Sequence, residues 1–386
     1  MIESRWIVLG VLFLVRISIG FQFQSVASVS PFLVDQLSIS YAEVGTLIGL
    51  FMLPGVVIAL PSGLLGTRFG DKRVCVVGLV LMVFGGVLMG FGQTYTTVFA
   101  GRLLSGIGAV LFNVILTKMV TDWFAGKEIV TAMGVLLSSW PFGIALGLVV
   151  QSAVASAYSW PPVMYLSSGV CAAAFALLIA FYRPPTSTAN VQEPNRVIYK
   201  LPWREFAPVS MAGIAWGSFN AGLVLFFSFT PALLTGRGMS ATDAGALVSV
   251  GLWVSLISLP LGGYLTQRVG WPKATIAIFC LLTAAAMFLL PFVPIPLELS
   301  ILVGLAIGPS AGAIVALPAN ALSAENRGAG FGVFYIWYYA AMAIAPVLAG
   351  LGRDMTGSAA TPVVIRRDDV CWHGIRVGGV QRVQYR

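Results

Sequence analysis

GLLGTRFGDKR, residues 63–73, closes one long apolar run and opens the next. GYLTQRVGWPK, residues 263–273, does the same in the second half of the chain. Laid on each other without a gap, residues 43–73 and 243–273 pair Gly45 with Gly245, Leu47 with Leu247, Gly63 with Gly263, Leu65 with Leu265, Arg68 with Arg268 and Gly70 with Gly270. Glu43 then meets Asp243, and Arg73 meets Lys273. Apolar matches between apolar runs carry little information. A shared glycine, arginine, glycine series at the end of a run carries more, and it points to an internal duplication. Gly63 would let two helices approach closely, Gly70 would permit a tight turn, and Arg68 could serve the carbonyls at a helix end. The plainer reading is a solvated turn whose charges only set topology.

The runs on either side decide the class. Charged residues make up 9% of the 386 residues and hydrophobic ones 58%, against about 25% charged in a soluble domain. A water-soluble chain of this composition would expose a very large apolar surface. Eleven apolar runs are long enough to cross a bilayer as helices: residues 6–28, 43–66, 74–92, 95–118, 129–154, 160–182, 207–235, 242–266, 273–293, 298–321 and 328–351. They are continuous rather than alternating, which excludes an outer-membrane barrel. The first run is too long for a cleavable leader and is expected to remain as a span.

With the N-terminus inside, thirteen basic residues fall on the cytoplasmic side, among them Arg5, Arg68, Lys72, Arg73, Lys118, Arg268 and Arg327, while the outer loops hold Arg237 and Arg353. This bias is the positive-inside pattern, so the net charge of +8 reports topology and not a nucleic-acid partner. Residues 183–205 are polar, basic and contain prolines, as expected of a cytoplasmic linker. The expected organisation is a bundle over residues 1–182, a linker over 183–205, a five-helix bundle over 206–352 and an atypical polar tail over 353–386. The last 24 residues hold five arginines and no apolar run that could span a bilayer.

Two charges sit deep inside runs, Arg16 and Arg102. An arginine there costs at least about 2.5–3.5 kcal/mol and persists only with a partner. The fourteen acidic residues fall at run ends, in loops or in the tail, so no fixed carboxylate is at hand. Gly20 and Gln24 share a helix face with Arg16; Gly106, Ala109 and Asn113 share one with Arg102. Two readings stand for each arginine: a fixed cation that attracts an anionic substrate, or a side chain bonded to backbone carbonyls. The candidate substrate-binding residues are Arg16, Gln24, Arg102, Asn113, Trp140 and Asn220. The cluster Tyr335, Trp337, Tyr338 and Tyr339 reads first as packing. Nothing in the chain suggests a catalytic set, a metal site, a cofactor or an enzyme, and Cys75, Cys171, Cys280 and Cys371 lack metal-ligand spacing.

The motifs resemble those of the major facilitator superfamily. GLLGTRFGDKR is similar to that family's loop between spans 2 and 3 through Gly63, Leu65, Arg68, Gly70 and Lys72, with Arg73 at its end; GYLTQRVGWPK resembles the second copy through Gly263, Arg268 and Gly270. GRLLSGIGA, residues 101–109, resembles the span-4 motif through Arg102, Gly106 and Gly108, and DWFAGKEIVTAMG, residues 122–134, the loop after it. Thr67 stands where the family has aspartate, which removes one partner of its loop latch. SSWPFGIALG, residues 138–147, lacks the glycine that precedes proline in drug–proton antiporters and looks more like the cyanate and nitroimidazole branch.

The resemblance implies an all-α membrane fold of two six-helix bundles, the second here lacking span 12. It implies a secondary active or facilitated transporter of a small solute working by alternating access. The expected location is a cell membrane, the bacterial inner one, with many passes and the N-terminus in the cytoplasm. The expected partners are a small-molecule substrate, first of all an anion, and the lipid bilayer, with the protein a monomer. The alternatives are a membrane protein that does not transport, or a drug-type efflux antiporter. Without buried Asp, Glu or His, coupling by exchange or by a proton on the substrate gains weight; Asp35 and Glu43 at the outer mouth are the remaining proton candidates.

Overall fold

The computed structural model of the chain describes residues 2–124, 128–184, 201–269, 271–323 and 326–362. The described residues form thirteen α-helices and no strand. The first half contains α1 (Ile2–Ser28), α2 (Ser30–Leu37), α3 (Tyr41–Leu50), α4 (Gly55–Phe69), α5 (Asp71–Gly90), α6 (Tyr95–Trp123), α7 (Ile129–Tyr158) and α8 (Pro161–Phe181). The second contains α9 (Trp203–Thr235), α10 (Ala241–Val269), α11 (Pro272–Leu289), α12 (Pro296–Ala321) and α13 (Arg327–Thr356).

Ten segments are long and apolar enough to cross a membrane. The expected ninth span, residues 273–293, is a shorter apolar helix, Lys273–Leu289. The expected second span is broken into α3 and α4 at residues 51–54. Pro54 ends the regular ladder: the Met52 N–H reaches Gly49 O and the Gly55 N–H reaches Met52 O, three residues back instead of four. Residues 185–200, most of the linker, and the tail beyond residue 362 lie outside the described residues.

Most packing of α1 to α8 is among themselves, and so is most of that of α9 to α13, but α3 packs chiefly on α13. Two seams join the halves. At one, α3 and α13 meet with Gly45 against the Pro346 carbonyl and Gly49 against the Ala343 carbonyl. At the other, α10 and α7 meet with Gly245 against the Leu148 carbonyl. The two glycines paired by the duplication, Gly45 and Gly245, thus make corresponding contacts with the opposite half. A side chain at either position would meet backbone, so only glycine permits the approach. Both seams lie in the part of the spans remote from the N-terminus, the far face. At the near face Arg5 pairs with Glu128 at 2.7 Å and Lys118 with Asp71 at 2.5 Å and Asp122 at 3.6 Å.

Candidate functional site

The site is built around Arg16, and its position follows from two local features of α7. Gly20 on α1 lies against the Trp140 carbonyl, and Gly143 on α7 lies against the Ile17 carbonyl, so the two backbones touch. Pro141 sits inside α7 and has no N–H to give. The carbonyl four residues earlier, on Leu137, therefore loses its helical donor. Arg16 Nη1 donates to Leu137 O at 3.3 Å, to Leu136 O at 2.8 Å and to Ser139 Oγ at 3.1 Å. Its Nε donates to Asn113 Oδ1 on α6 at 3.1 Å. Among the described residues Nη2 makes no hydrogen bond, although the residue is only 5% exposed.

The opposite half closes on this group with tyrosines. Tyr335, Tyr338 and Tyr339 of α13, uncharged hydroxyls, are the titratable side chains nearest Arg16 from that half. Asn113, which accepts from Arg16, lies beside the Tyr339 side chain. The ring of Tyr339 lies against Gly55, at the start of α4. The remaining wall is aromatic: Phe142 packs edge-on against Trp253 across the halves at 5.1 Å, and Trp216 lies over Tyr338 at 6.2 Å. Arg16 and Asn113 of one half and Tyr339 of the other thus bring polar groups together at mid-span. No carboxylate touches them among the described residues.

Arg102 is arranged differently. Each of its nitrogens donates to a carbonyl: Nε to Leu47 O at 2.9 Å, Nη1 to Gln22 O at 3.0 Å and Nη2 to Phe23 O at 2.8 Å. The break in the second span prepares the first of these. Phe51, which would serve Leu47 in a regular helix, lies past the end of α3 and does not donate to Leu47 O. The guanidinium also lies 4.5 Å from the Phe51 ring centroid and 5.9 Å from that of Phe23. Arg102 is fully buried and ties α1, α3 and α6 together, which leaves it no open side toward a solute in this arrangement.

The other candidates are spread around these two centres. Gln24 donates to Phe227 O across the halves at 3.5 Å, and its Oε1 is buried without a partner. Trp140 packs on Phe23 at 5.3 Å. Asn220 donates to Trp216 O within its own helix at 2.8 Å. Sequence reasoning did not single out Ser139 or assign Tyr339 to the site. The usable signal was Pro141: a proline inside a span frees a carbonyl, and a freed carbonyl in the membrane needs a donor.

The loop motif residues sit at the near face. Gly63 lies within α4 and Gly263 within α10. Gly70 has φ +90°, the positive value that glycine tolerates. Arg68 is exposed and lies over Phe69, 5.4 Å from the ring centroid, rather than on span-end carbonyls. Lys72 serves carbonyls instead, donating to Ile179 O at 3.0 Å and Tyr182 O at 2.8 Å at the end of α8. Arg73 is exposed, Arg268 donates to the Tyr264 hydroxyl at 3.2 Å, and Gly270 lies outside the described residues.

A family model described as Major Facilitator Superfamily matches residues 12–346. The hexuronate transporter of Bacillus subtilis is 22% identical over 279 residues, covering 67% of this chain and 65% of that protein. The probable sulfoacetate transporter SauU of Cupriavidus necator is 21% identical over 392 residues, covering 94% of this chain and 91% of that protein. Among solved structures, a D-xylose–proton symporter superposes with a TM-score of 0.76 at 16% identity, covering 97% of this chain and 96% of that one.

Proposed function

The chain belongs to the major facilitator superfamily, and from that premise we propose that it carries a small organic or inorganic anion across the membrane, with Arg16 as the counter-charge. That it is a multi-pass membrane transporter of small solutes follows from the family and the fold. The anion is supported by one observation above all: Arg16 stands at mid-span between the halves and, among the described residues, its Nη2 has no hydrogen-bond acceptor and no carboxylate lies beside it. The α7 carbonyls and Asn113 orient the guanidinium without cancelling its charge. The tyrosines of α13 add hydroxyl groups that can donate to an oxyanion. The names of two relatives, a hexuronate and a sulfoacetate transporter, point to anionic solutes.

In this reading the seams at the far face close while the solute is released to the near face, taken as cytoplasmic from the basic residues there. The halves, residues 1–182 and 206–352, rock about the site. Arg102 holds the first half together and is left out of the substrate set. Asn113 positions the arginine, Tyr339 faces it from the other half, and Gln24, Trp140 and Asn220 border the path. The acidic residues among the described ones lie near helix ends, such as Glu43, Asp71, Asp243 and Asp354. Coupling by solute exchange, or by a proton that the solute itself carries, therefore fits better than a buried proton carrier. The test is counterflow in vesicles: a labelled small anion should accumulate against an excess of unlabelled anion inside, and Arg16→Gln should abolish this.

A further inference from the structure

Two helix ends from different halves meet at the far face. Helix α3 starts, like every helix, with N–H groups that lack an intrahelical acceptor. Its own first turn satisfies two of them: the Ser40 N–H donates to Glu43 Oε2 at 2.8 Å, and the Glu43 N–H donates to Ser40 Oγ at 3.1 Å. The two N–H groups between them are taken by the other half. Tyr41 N–H donates to Asp354 Oδ1 at 2.9 Å, and Ala42 N–H donates to Asp354 Oδ2 at 2.7 Å.

The surroundings make this more than a chance contact. Gly350, one turn before Asp354 on α13, lies against the Tyr41 carbonyl. The Arg353 guanidinium sits over the Tyr41 ring, 3.4 Å from its centroid. With Gly49 on Ala343 and Gly45 on Pro346, Asp354 is the last rung of the seam and binds backbone N–H groups through a full negative charge. Among the described residues the other seam shows no such rung. Its Gly245 meets Leu148, and the residue that matches Asp354 in register is Ser156, whose hydroxyl donates to Ser152 O in its own helix.

We propose that Asp354 is the gating residue of the far face: its carboxylate caps α3 of the opposite half when that face is closed and must release it each time that face opens. The inference rests on the alternating-access reading. Asp354 is exposed, so water can replace both bonds on release. An exposed carboxylate on a helix N-terminus is held only modestly, unlike a buried ion pair. That strength suits a latch which is broken in every cycle. The positive end of the α3 dipole supplies the attraction, so the negative charge matters as well as the oxygen atoms.

The experiment reads the distance between the halves directly. Spin labels at Tyr158→Cys and Leu297→Cys, both exposed at the far face, are placed on a background with Cys280 and Cys371 replaced by alanine. Distances are measured in solute-free protein in lipid discs. Asp354→Ala should raise the ratio of long to short distances by about two- to tenfold. Asp354→Asn should give a smaller rise, and Ser156→Ala none. An unchanged ratio in Asp354→Ala overturns the proposal. If that variant is not monodisperse, Asp354→Asn carries the test, and an unchanged ratio there overturns it equally. Because no solute is present, failure here leaves the role of Arg16 untouched, and failure of the anion reading leaves this latch standing.

Discussion

Pro141 leaves the carbonyl of Leu137 without a helical donor, and Arg16 supplies one from the neighbouring helix at 3.3 Å. A helix defect and a buried charge thus answer each other. The proline creates an acceptor in the membrane, and the arginine finds part of its partner set there. What remains of the guanidinium faces the tyrosines of the other half.

Restoring the missing N–H should separate the two. In Pro141→Ala the helix can serve Leu137 itself, so the protein should keep or raise its thermal midpoint, since proline inside a helix costs about 3 kcal/mol. Arg16 would then be less firmly oriented, and transport should fall. Thermal unfolding and counterflow on the same sample check this; full transport in Pro141→Ala would contradict the link.

Arg102 should behave as a structural residue. Arg102→Ala leaves three carbonyls in α1 and α3 without their donor and opens a cavity at a fully buried position. A loss of about 3–5 kcal/mol is expected from breaking a buried charged network of this kind. Size-exclusion profiles after extraction should show loss of the monodisperse peak. A well-folded Arg102→Ala that only binds solute more weakly would instead place Arg102 in the substrate site.

The two seams should respond alike to added bulk. Gly45→Val and Gly245→Val each put a side chain against backbone of the opposite half, at Pro346 and at Leu148. Both should fold, since the clash is between halves and not within one. Both should hold the far face open and lower counterflow at least about tenfold, as a closed state destabilised by 1.4 kcal/mol or more requires. Labelling of far-face cysteines by a membrane-impermeant reagent measures the opening. A variant with normal transport at either glycine would remove that seam from the cycle.

Topology can be read independently. A reporter fused before α1 should be active only in the cytoplasm, as the basic residues of the near face require. With the eleven spans expected, a reporter at the C-terminus should sit on the opposite side. A cytoplasmic C-terminal reporter would contradict the eleven-span count without touching the family.

Much of the fold was legible because membrane spans announce themselves by length and apolarity, and laying residues 43–73 on 243–273 paired Gly45 with Gly245, the two glycines that lie against backbone of the opposite half. The break at residues 51–54 was less visible, since Pro54 lies in an otherwise continuous apolar run. For the site, the sequence located a charge that needed explaining but not its partners. Arg16 meets groups 97 to 123 residues away, and Tyr339 approaches from the other half. No spacing rule reaches between helices so far apart along the chain. The same holds for Asp354, whose exposed position at a span end gave no hint that it caps a helix more than 300 residues earlier.

The central claim is that Arg16 holds an anionic solute between the two halves, and ligand-induced stabilisation of purified protein tests it most directly. A panel of small carboxylates, sulfonates and inorganic oxyanions is screened against the intact protein and then against Arg16→Gln and Arg16→Lys. The account predicts that at least one anion stabilises the intact protein. Arg16→Gln, equally well folded, should bind that anion roughly ten- to a hundred-fold more weakly, corresponding to about 1.5–3 kcal/mol for one charge-assisted contact. Arg16→Lys should fall between, because it keeps the charge and loses the planar fork. Unchanged affinity in a well-folded Arg16→Gln would contradict the account.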